Sequence, residues 1–350
     1  MSRVSTISGA RARVPKRLDL FVLAVLAAGV LYGAVRLAAQ HALFFDFHAF
    51  WCAGSVLLAH GNPYAQAPLY RCEAVVQPLR MASATDGIAV PVPYPGYVLA
   101  VFTAFALLPF PVAAFAWLAL SVAAAFWTAR ILTRYIGISV VPAFLVVVAL
   151  LGLVVLPYGE TAAVGMFALV CTTQTMQRGR WNAATLSCAV LAILPQVALP
   201  VWIAAAMYRP QIRLRLLCAA VCLALLDLLC GGTRVAMEYF GSVLPAHAMS
   251  EAARTSQYGV VWFFTLFAPQ HRAATLADAV YFCAVALVLV SLRRFAEDTV
   301  KIVVMPALAA VAAAPFVHFS EIVMIVPALA ILLRREDGVT PIASVFALCA

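Results

Sequence analysis

Residues 18–40 read LDLFVLAVLAAGVLYGAVRLAAQ, and the chain soon continues as Phe45-Asp46-Phe47-His48-Ala49-Phe50-Trp51. The first of these stretches is long enough to cross a bilayer as a single helix. It carries Arg36 and has no small-residue cleavage site before Asp46, so we expect a retained first helix and not a signal peptide. Asp46 is then expected where the chain leaves the membrane, among aromatic side chains. A carboxylate at a membrane edge is a candidate for chemistry in a chain this poor in acids.

The rest of the chain repeats this apolar pattern. Of its 350 residues, 65% are hydrophobic and 11% are charged, and the mean hydropathy is +1.01. The apolar runs have the length of a bilayer helix, and they do not alternate as the strands of a membrane barrel do. The sequence predicts an all-α polytopic membrane protein, a bundle of roughly 10–12 transmembrane helices. We expect one integral membrane domain over residues 18–350, after a disordered cytoplasmic tail at 1–17.

The net charge of +9 does not indicate a nucleic-acid partner. The basic residues cluster at short breaks between apolar runs, which is typical of cytoplasmic loops. Five of them precede the first helix, so the N-terminus is expected in the cytoplasm and residues 41–93 form the first extracytoplasmic loop. Arg130 and Arg134 do not fit this alternation. Either one apolar run between Asp46 and Glu160 fails to cross, or these two arginines face outside.

The loop at 41–93 has its own predicted structure. Apolar residues recur at helical spacing over 47–60, which predicts an amphipathic helix on the membrane surface that ends at Gly61-Asn62-Pro63. A second short surface helix is expected within 68–79. Cys52 and Cys72 both fall in this loop, where oxidising conditions would permit a disulfide.

Two later features interrupt the apolar runs. Pro195-Gln196 divides the run 183–208, which predicts a broken helix or a tight hairpin, and 231–257 is predicted as a second polar external interval. The sequence shows no strong internal repeat, no phosphate-binding glycine-rich loop and no metal-ligand spacing. We therefore expect no cofactor and no metal.

Several residues are candidates for a site, and each has a plain structural alternative. Asp46 could be the N-cap of the helix that follows it. His318 could be an ordinary polar residue at a helix start, with Glu321 in the first turn, where an acid suits the helix dipole. Glu160 is either a ligand for a sugar hydroxyl or an acid near a helix start. The remaining candidates are Arg254 and Gln257 for phosphate, and Trp51, Tyr64 and Tyr94 for stacking on sugar faces, although aromatics are common at membrane interfaces.

The block Asp46-Phe47-x-x-Phe50-Trp51-x-Ala53-Gly54, followed by Leu57-Leu58 and Gly61-Asn62-Pro63-Tyr64, resembles the membrane glycosyltransferases of family 87, also called DUF2029. The resemblance extends over roughly residues 20–335. It continues through Tyr94-Pro95-Gly96-Tyr97, Leu107-Leu108-Pro109, Pro157-Tyr158-Gly159-Glu160, Arg178-Gly179-Arg180, Ser256-Gln257 and His318-Phe319. Three positions depart from the family pattern: Gly96 replaces proline, Glu160 replaces glutamine, and Pro195-Gln196 stands where the family often has Lys-Pro.

The resemblance implies a fold of the GT-C class and a plasma-membrane enzyme that uses a polyprenyl-phosphate sugar donor, most simply mannose, and a lipid or glycan acceptor. It implies that Asp46 is the general base outside the cytoplasm, because an acceptor hydroxyl needs a positioned carboxylate to take its proton. It also favours His318 near the donor phosphate or beside Asp46. Two other classes stay open from the residues alone: a transporter or lipid flippase, whose acids would lie at mid-membrane, and a structural subunit without chemistry.

Overall fold

The computed structural model describes residues 43–76, 92–152, 154–252, 259–315 and 317–337. In these residues the chain is helical and contains no strand, as the sequence predicts. The predicted tail at 1–17 and the predicted first helix at 18–40 lie outside the described residues, as do Arg254 and Gln257. The helices are α1 Phe45–Leu58, α2 Gln66–Val76, α3 Gly96–Ala106, α4 Phe110–Ile136, α5 Val140–Gly152, α6 Val155–Tyr158, α7 Ala162–Gln177, α8 Trp181–Leu191, α9 Pro195–Tyr208, α10 Arg213–Glu238, α11 Leu244–Ala252, α12 Val260–Thr265, α13 Gln270–Ser291, α14 Thr299–Ala312 and α15 Phe319–Asp337.

The described helices include three that are long and apolar enough to cross a membrane: Phe110–Ile136, Pro210–Ser250 and His271–Phe295. Seven further apolar helices are shorter than a typical span. The protein is therefore a helical membrane protein, but the structure does not confirm the predicted count of roughly 10–12 crossings. The predicted break at Pro195-Gln196 is confirmed, since α8 ends at Leu191 and α9 begins at Pro195.

The helix α7 forms the centre of the main core. Twelve of its sixteen residues are buried, and it packs against α4, α8, α14 and α15. A helix that is buried on every side is expected to be apolar all round and not amphipathic. Its hydroxyl groups have partners: Thr173 and Thr175 donate to the carbonyls of Leu169 and Cys171 one turn earlier, and Thr172 donates to Ser187 on α8.

The helix α1 differs from its predicted placement. The sequence predicts an amphipathic helix lying on the membrane surface, but nine of its fourteen residues are buried. Phe47 packs among the rings of Phe102, Phe105 and Trp117. The prediction failed because the apolar residues of α1 are covered by protein, and helical periodicity alone does not distinguish a protein partner from a lipid one. The following helix, α2, is mostly exposed, as expected of a surface helix.

The position of α3 bears on where Arg130 and Arg134 lie in the bundle. Just before α3, the hydroxyl of Tyr94 lies 3.0 Å from that of Thr161, and just after it Phe110 packs on Phe47. The ring of Tyr94 also packs on Phe50 of α1, so both ends of α3 lie near α1. From Phe110, α4 runs to the opposite end of the bundle, where Tyr135 bonds Gln177. Arg130 and Arg134 therefore lie at the same end of the bundle as the basic turn 178–180, and α3, with 11 residues, is shorter than a typical bilayer span.

The predicted polar interval at 231–257 is helical through Ala252. The helical stretch Pro210–Ser250 has 41 residues, which corresponds to about 60 Å, or twice the hydrocarbon thickness of a bilayer. Gly232, at φ 70° and ψ 176°, breaks it about halfway. The part before Gly232 matches one bilayer thickness, and the kink at Gly232 separates it from the part that follows.

Cys52 on α1 and Cys72 on α2 are joined by a disulfide bond. The bond ties the exposed α2 to the buried α1 across a separation of 20 residues. Closing a loop of this length in the unfolded chain stabilises the fold by about 3 kcal/mol.

We expect Cys72→Ser to lower the midpoint of thermal unfolding of the purified protein in detergent, because the unfolded chain loses its cross-link. The matched control is Cys283→Ser, which replaces an exposed free cysteine on α13. Equal midpoints for the two variants, or free thiols at Cys52 and Cys72 in non-reducing mass spectrometry, would contradict the assignment.

Candidate active site

Asp46 lies in the first turn of α1, and the chain just before it is tied to the segment that precedes Glu160. Phe44 has a left-handed backbone, with φ 59°, and its amide donates to the carbonyl of Pro157 at 2.7 Å. The N-cap of α1 is Phe44, and no side chain caps this helix. The alternative that Asp46 is the N-cap is therefore wrong, and its carboxyl group is available for another role.

Glu160 is positioned by the tight turn that ends α6. The amide of Glu160 donates to the carbonyl of Val155, and the amide of Gly159 donates to Leu156, which is the Schellman pattern of a helix C-terminus. Gly159 has φ 73°, where a side chain is strained. A Cβ at this position would lie 2.6 Å from the Cβ of Phe47. Trp117 fixes the turn further by donating its indole N–H to the Gly159 carbonyl at 2.9 Å.

The carboxyl groups of Asp46 and Glu160 face each other closely enough to share a hydrogen bond. Both groups lie at helix ends outside the three long spans. Burial raises the pKa of Asp46 well above its ordinary value, and the neighbouring charge of Glu160 raises it further. Burial also raises the pKa of Glu160, while Ser320 and His318 oppose that rise. Two carboxyl groups this close cannot both ionise easily.

A third segment, the start of α15, completes the site. The backbone amide of His318 donates to the Glu321 carboxylate at 3.0 Å, a capping interaction between the two residues that the sequence paired. The other oxygen of Glu321 accepts from the side-chain amide of Gln196 at 2.5 Å. The buried Ser320 is close enough to donate to Glu160. We call Asp46, Glu160, His318, Ser320 and Glu321 the acid cluster.

Tyr94 borders the acid cluster. Burial raises its pKa, and the charges of Glu160, Glu321 and Asp46 contribute to that rise. Tyr64 does not join the cluster directly, but its hydroxyl donates to the Tyr94 carbonyl at 2.7 Å. Tyr64 thus holds the residue that borders the cluster.

Trp51 lies away from this group. Its indole N–H donates to the Leu108 carbonyl at 3.2 Å, and its ring packs against Phe110.

Ser320 and Gln196 are contacts that sequence reasoning did not select. Ser320 lies between His318 and Glu321, two residues that the sequence analysis selected, and this position was the signal that could have identified it.

Asp227 has a structural role that explains Gly96. The amide of Tyr97 donates to the Asp227 carboxylate at 2.9 Å, so this buried acid satisfies an orphan N–H at the start of α3. A Cβ at Gly96 would lie 2.8 Å from the same carboxylate oxygen. The departure from proline at Gly96 therefore makes room for Asp227. The partner that the structure gives Asp227 is therefore the backbone amide of Tyr97.

The described residues contain no group of three or more His, Cys, Asp or Glu side chains arranged to hold a metal ion. The acid cluster brings together carboxyl groups that take or hold protons, with a histidine and a serine that interact with Glu160. This set of groups is suited to proton transfer from a hydroxyl group.

Comparison with known proteins gives one match. A family model described as Glycosyltransferase family 87 matches residues 93–317, which is well over half of the chain. Neither the curated proteins nor the solved structures contain a match. The matched region includes Tyr94, Glu160 and Gln196. It begins after α1 and ends one residue before His318, so the match itself does not cover Asp46.

Proposed function

Because the chain belongs to glycosyltransferase family 87, we propose that this membrane glycosyltransferase moves a hexose, most simply mannose, from a polyprenyl-phosphate donor to a lipid or glycan acceptor, with Asp46 as the general base. The observation that carries the proposal is the meeting of Asp46, Glu160 and His318, which come from segments more than 100 residues apart in the chain. Such a convergence of titratable groups is typical of an active site.

The proposed reaction is a single displacement at the sugar. The acceptor hydroxyl has a pKa far above neutral, so the ionised carboxyl oxygen takes its proton as the acceptor oxygen bonds to C1. The bond between C1 and the phosphate oxygen breaks, and its electron pair leaves with the polyprenyl phosphate. The phosphate is already a good leaving group, so it needs stabilisation of its charge more than a proton.

His318 is the proposed stabiliser of the leaving phosphate. It is half-buried, and its charge interacts with Glu160, so it lies beside the acids without being enclosed by them. Arg254 and Gln257 are proposed as further phosphate contacts. They lie outside the described residues.

The sugar is proposed to lie against Tyr94, Glu160 and Glu321. Carboxylates accept hydrogen bonds from sugar hydroxyls, and the aromatic face of Tyr94 suits a sugar ring. Tyr64 would act through Tyr94, whose carbonyl it holds. Trp51 remains a proposed stacking surface for a sugar, and its indole N–H donates to the Leu108 carbonyl.

The proposed location is the extracytoplasmic side of the plasma membrane. The described arginines at 130, 134, 178 and 180 lie at the end of the bundle opposite to Asp46, as the contact between Tyr135 and Gln177 indicates. Basic residues favour the cytoplasmic side, which supports an acid cluster outside. The transporter alternative has less support, because the acids of the cluster lie at helix ends.

The experiment that tests the donor uses the purified wild-type protein in detergent. We expect labelled mannose to pass from polyprenyl-phosphate-mannose to material extracted from the membrane. Labelled nucleotide-linked mannose serves as the control donor and should not be consumed. Consumption of the nucleotide-linked sugar, with the lipid-linked one left intact, would overturn the proposed donor.

A further inference from the structure

The turn that carries Glu160 is built to hold its carboxyl group against Asp46. Three contacts fix the two segments together: the bond from the Phe44 amide to the Pro157 carbonyl, the bond from the Trp117 indole to the Gly159 carbonyl, and the packing of Gly159 on Phe47. None of them involves the two carboxyl groups. The close approach of the acids is therefore imposed by the fold, in spite of the repulsion between two ionised carboxylates.

The surroundings of the pair favour one negative charge over two. The titratable groups that face it in the described residues are Tyr158 beside Glu160, Tyr94 before α3, and His318 and Glu321 at the start of α15. The donor brings a further negative charge on its phosphate. A doubly ionised pair would add to the charge already supplied by Glu321 and the phosphate, with only His318 able to offset it among these groups.

We propose that Asp46 and Glu160 share a single proton and act as one base, with Glu160 as the positioning residue that keeps the pair at one negative charge beside the donor. This inference rests on the proposed function for its role in catalysis. As the acceptor oxygen attacks C1, its proton passes to the ionised oxygen of the pair. The pair then holds two protons and is neutral, and one of them is released to water before the next turnover.

The shared proton has a direct signature that does not depend on activity. A protonated carboxyl group has its own carbonyl stretch in the infrared spectrum, and an ordinary Asp or Glu has lost it by neutral pH. In the wild-type protein we expect this band to persist above neutral pH. The pH at which the band disappears, as the pH is raised further, is the pH of the second ionisation of the pair.

The variant Glu160→Gln distinguishes two explanations for a persistent protonated carboxyl: a proton shared with Glu160, and burial of Asp46 alone. Glutamine cannot ionise and can donate a hydrogen bond to Asp46, so the remaining carboxyl should lose its proton at a pH lower by at least about one unit. Glu160→Asp keeps an ionisable partner and should retain the wild-type titration. A band that titrates identically in the wild type and in Glu160→Gln would overturn the inference, because burial alone would then account for it.

The kinetic readout distinguishes this inference from the proposed function. In the wild type, transfer should fall at high pH as the second proton leaves the pair, and in Glu160→Gln that decline should disappear. If Glu160→Gln folds but keeps the alkaline decline, the shared proton is overturned while the role of Asp46 stands. If instead Asp46→Asn retains transfer, the proposed function fails, and the infrared titration of the wild type still tests the pair.

Discussion

Replacement of Asp46 by asparagine is expected to abolish sugar transfer and to leave the protein folded. Asparagine keeps the size of the side chain but cannot take the proton of the acceptor hydroxyl. Loss of a general base lowers the rate by about a hundredfold to ten-thousandfold. The measurement is transfer of labelled sugar from the lipid-phosphate donor by purified protein.

The variant should also be at least as stable as the wild type above neutral pH. The pKa of Asp46 is raised in the folded protein, so the folded state binds this proton more tightly than the unfolded chain does. Its contribution to stability therefore falls as the pH rises from the unfolded pKa to the folded one. Asparagine does not ionise, so the variant should not show this fall in stability with rising pH. Thermal unfolding of the variant and the wild type at two pH values measures the difference.

The matched control is Glu297→Gln. Glu297 lies in the turn that follows α13, where its backbone carbonyl accepts from Arg209 at the end of the bundle opposite to Asp46. This variant should transfer sugar at the wild-type rate. Near-normal transfer by Asp46→Asn would remove Asp46 as the base, and loss of transfer in both variants would indicate a general effect of removing acids.

The second large effect is expected from Gly159→Ala. The added Cβ would lie 2.6 Å from the Cβ of Phe47 and 3.3 Å from a ring carbon of Phe44. These neighbours carry Asp46 between them, so the turn and α1 must move apart and separate the two acids. Alanine also strains the left-handed backbone by about 1 kcal/mol. We expect transfer to fall at least about tenfold, which corresponds to 1.4 kcal/mol, together with a lower unfolding midpoint.

Gly179→Ala provides a control with the same backbone strain and no collision. Gly179 has φ 64° in an equivalent helix-ending turn, and nothing lies within 4 Å of its added Cβ. This variant should lose a little stability and keep its transfer rate. Equal losses of transfer in the two variants would show that strain, and not the contact with Phe47, limits activity.

The helices were largely predictable because apolar runs and prolines act locally. The break before Pro195 and the helix start next to His318 follow from such signals. The surroundings of α1 and the helix beyond residue 231 were not predictable in this way. Hydropathy measures how apolar a segment is, and it does not tell whether protein or lipid covers that segment, or whether a polar stretch stays helical.

The sequence by itself determined that the chain is a helical membrane protein, that it resembles glycosyltransferase family 87, and that Asp46, Glu160 and His318 deserve to be tested. Each of these follows from short stretches of residues. Only the tertiary structure decided that Glu160 meets Asp46, that His318 and Ser320 lie beside Glu160, and that Asp46 is not a helix cap. The reason is physical: the meeting depends on how α1, α6 and α15 pack and on a left-handed glycine that lets two segments touch, and such contacts leave no local pattern in the chain.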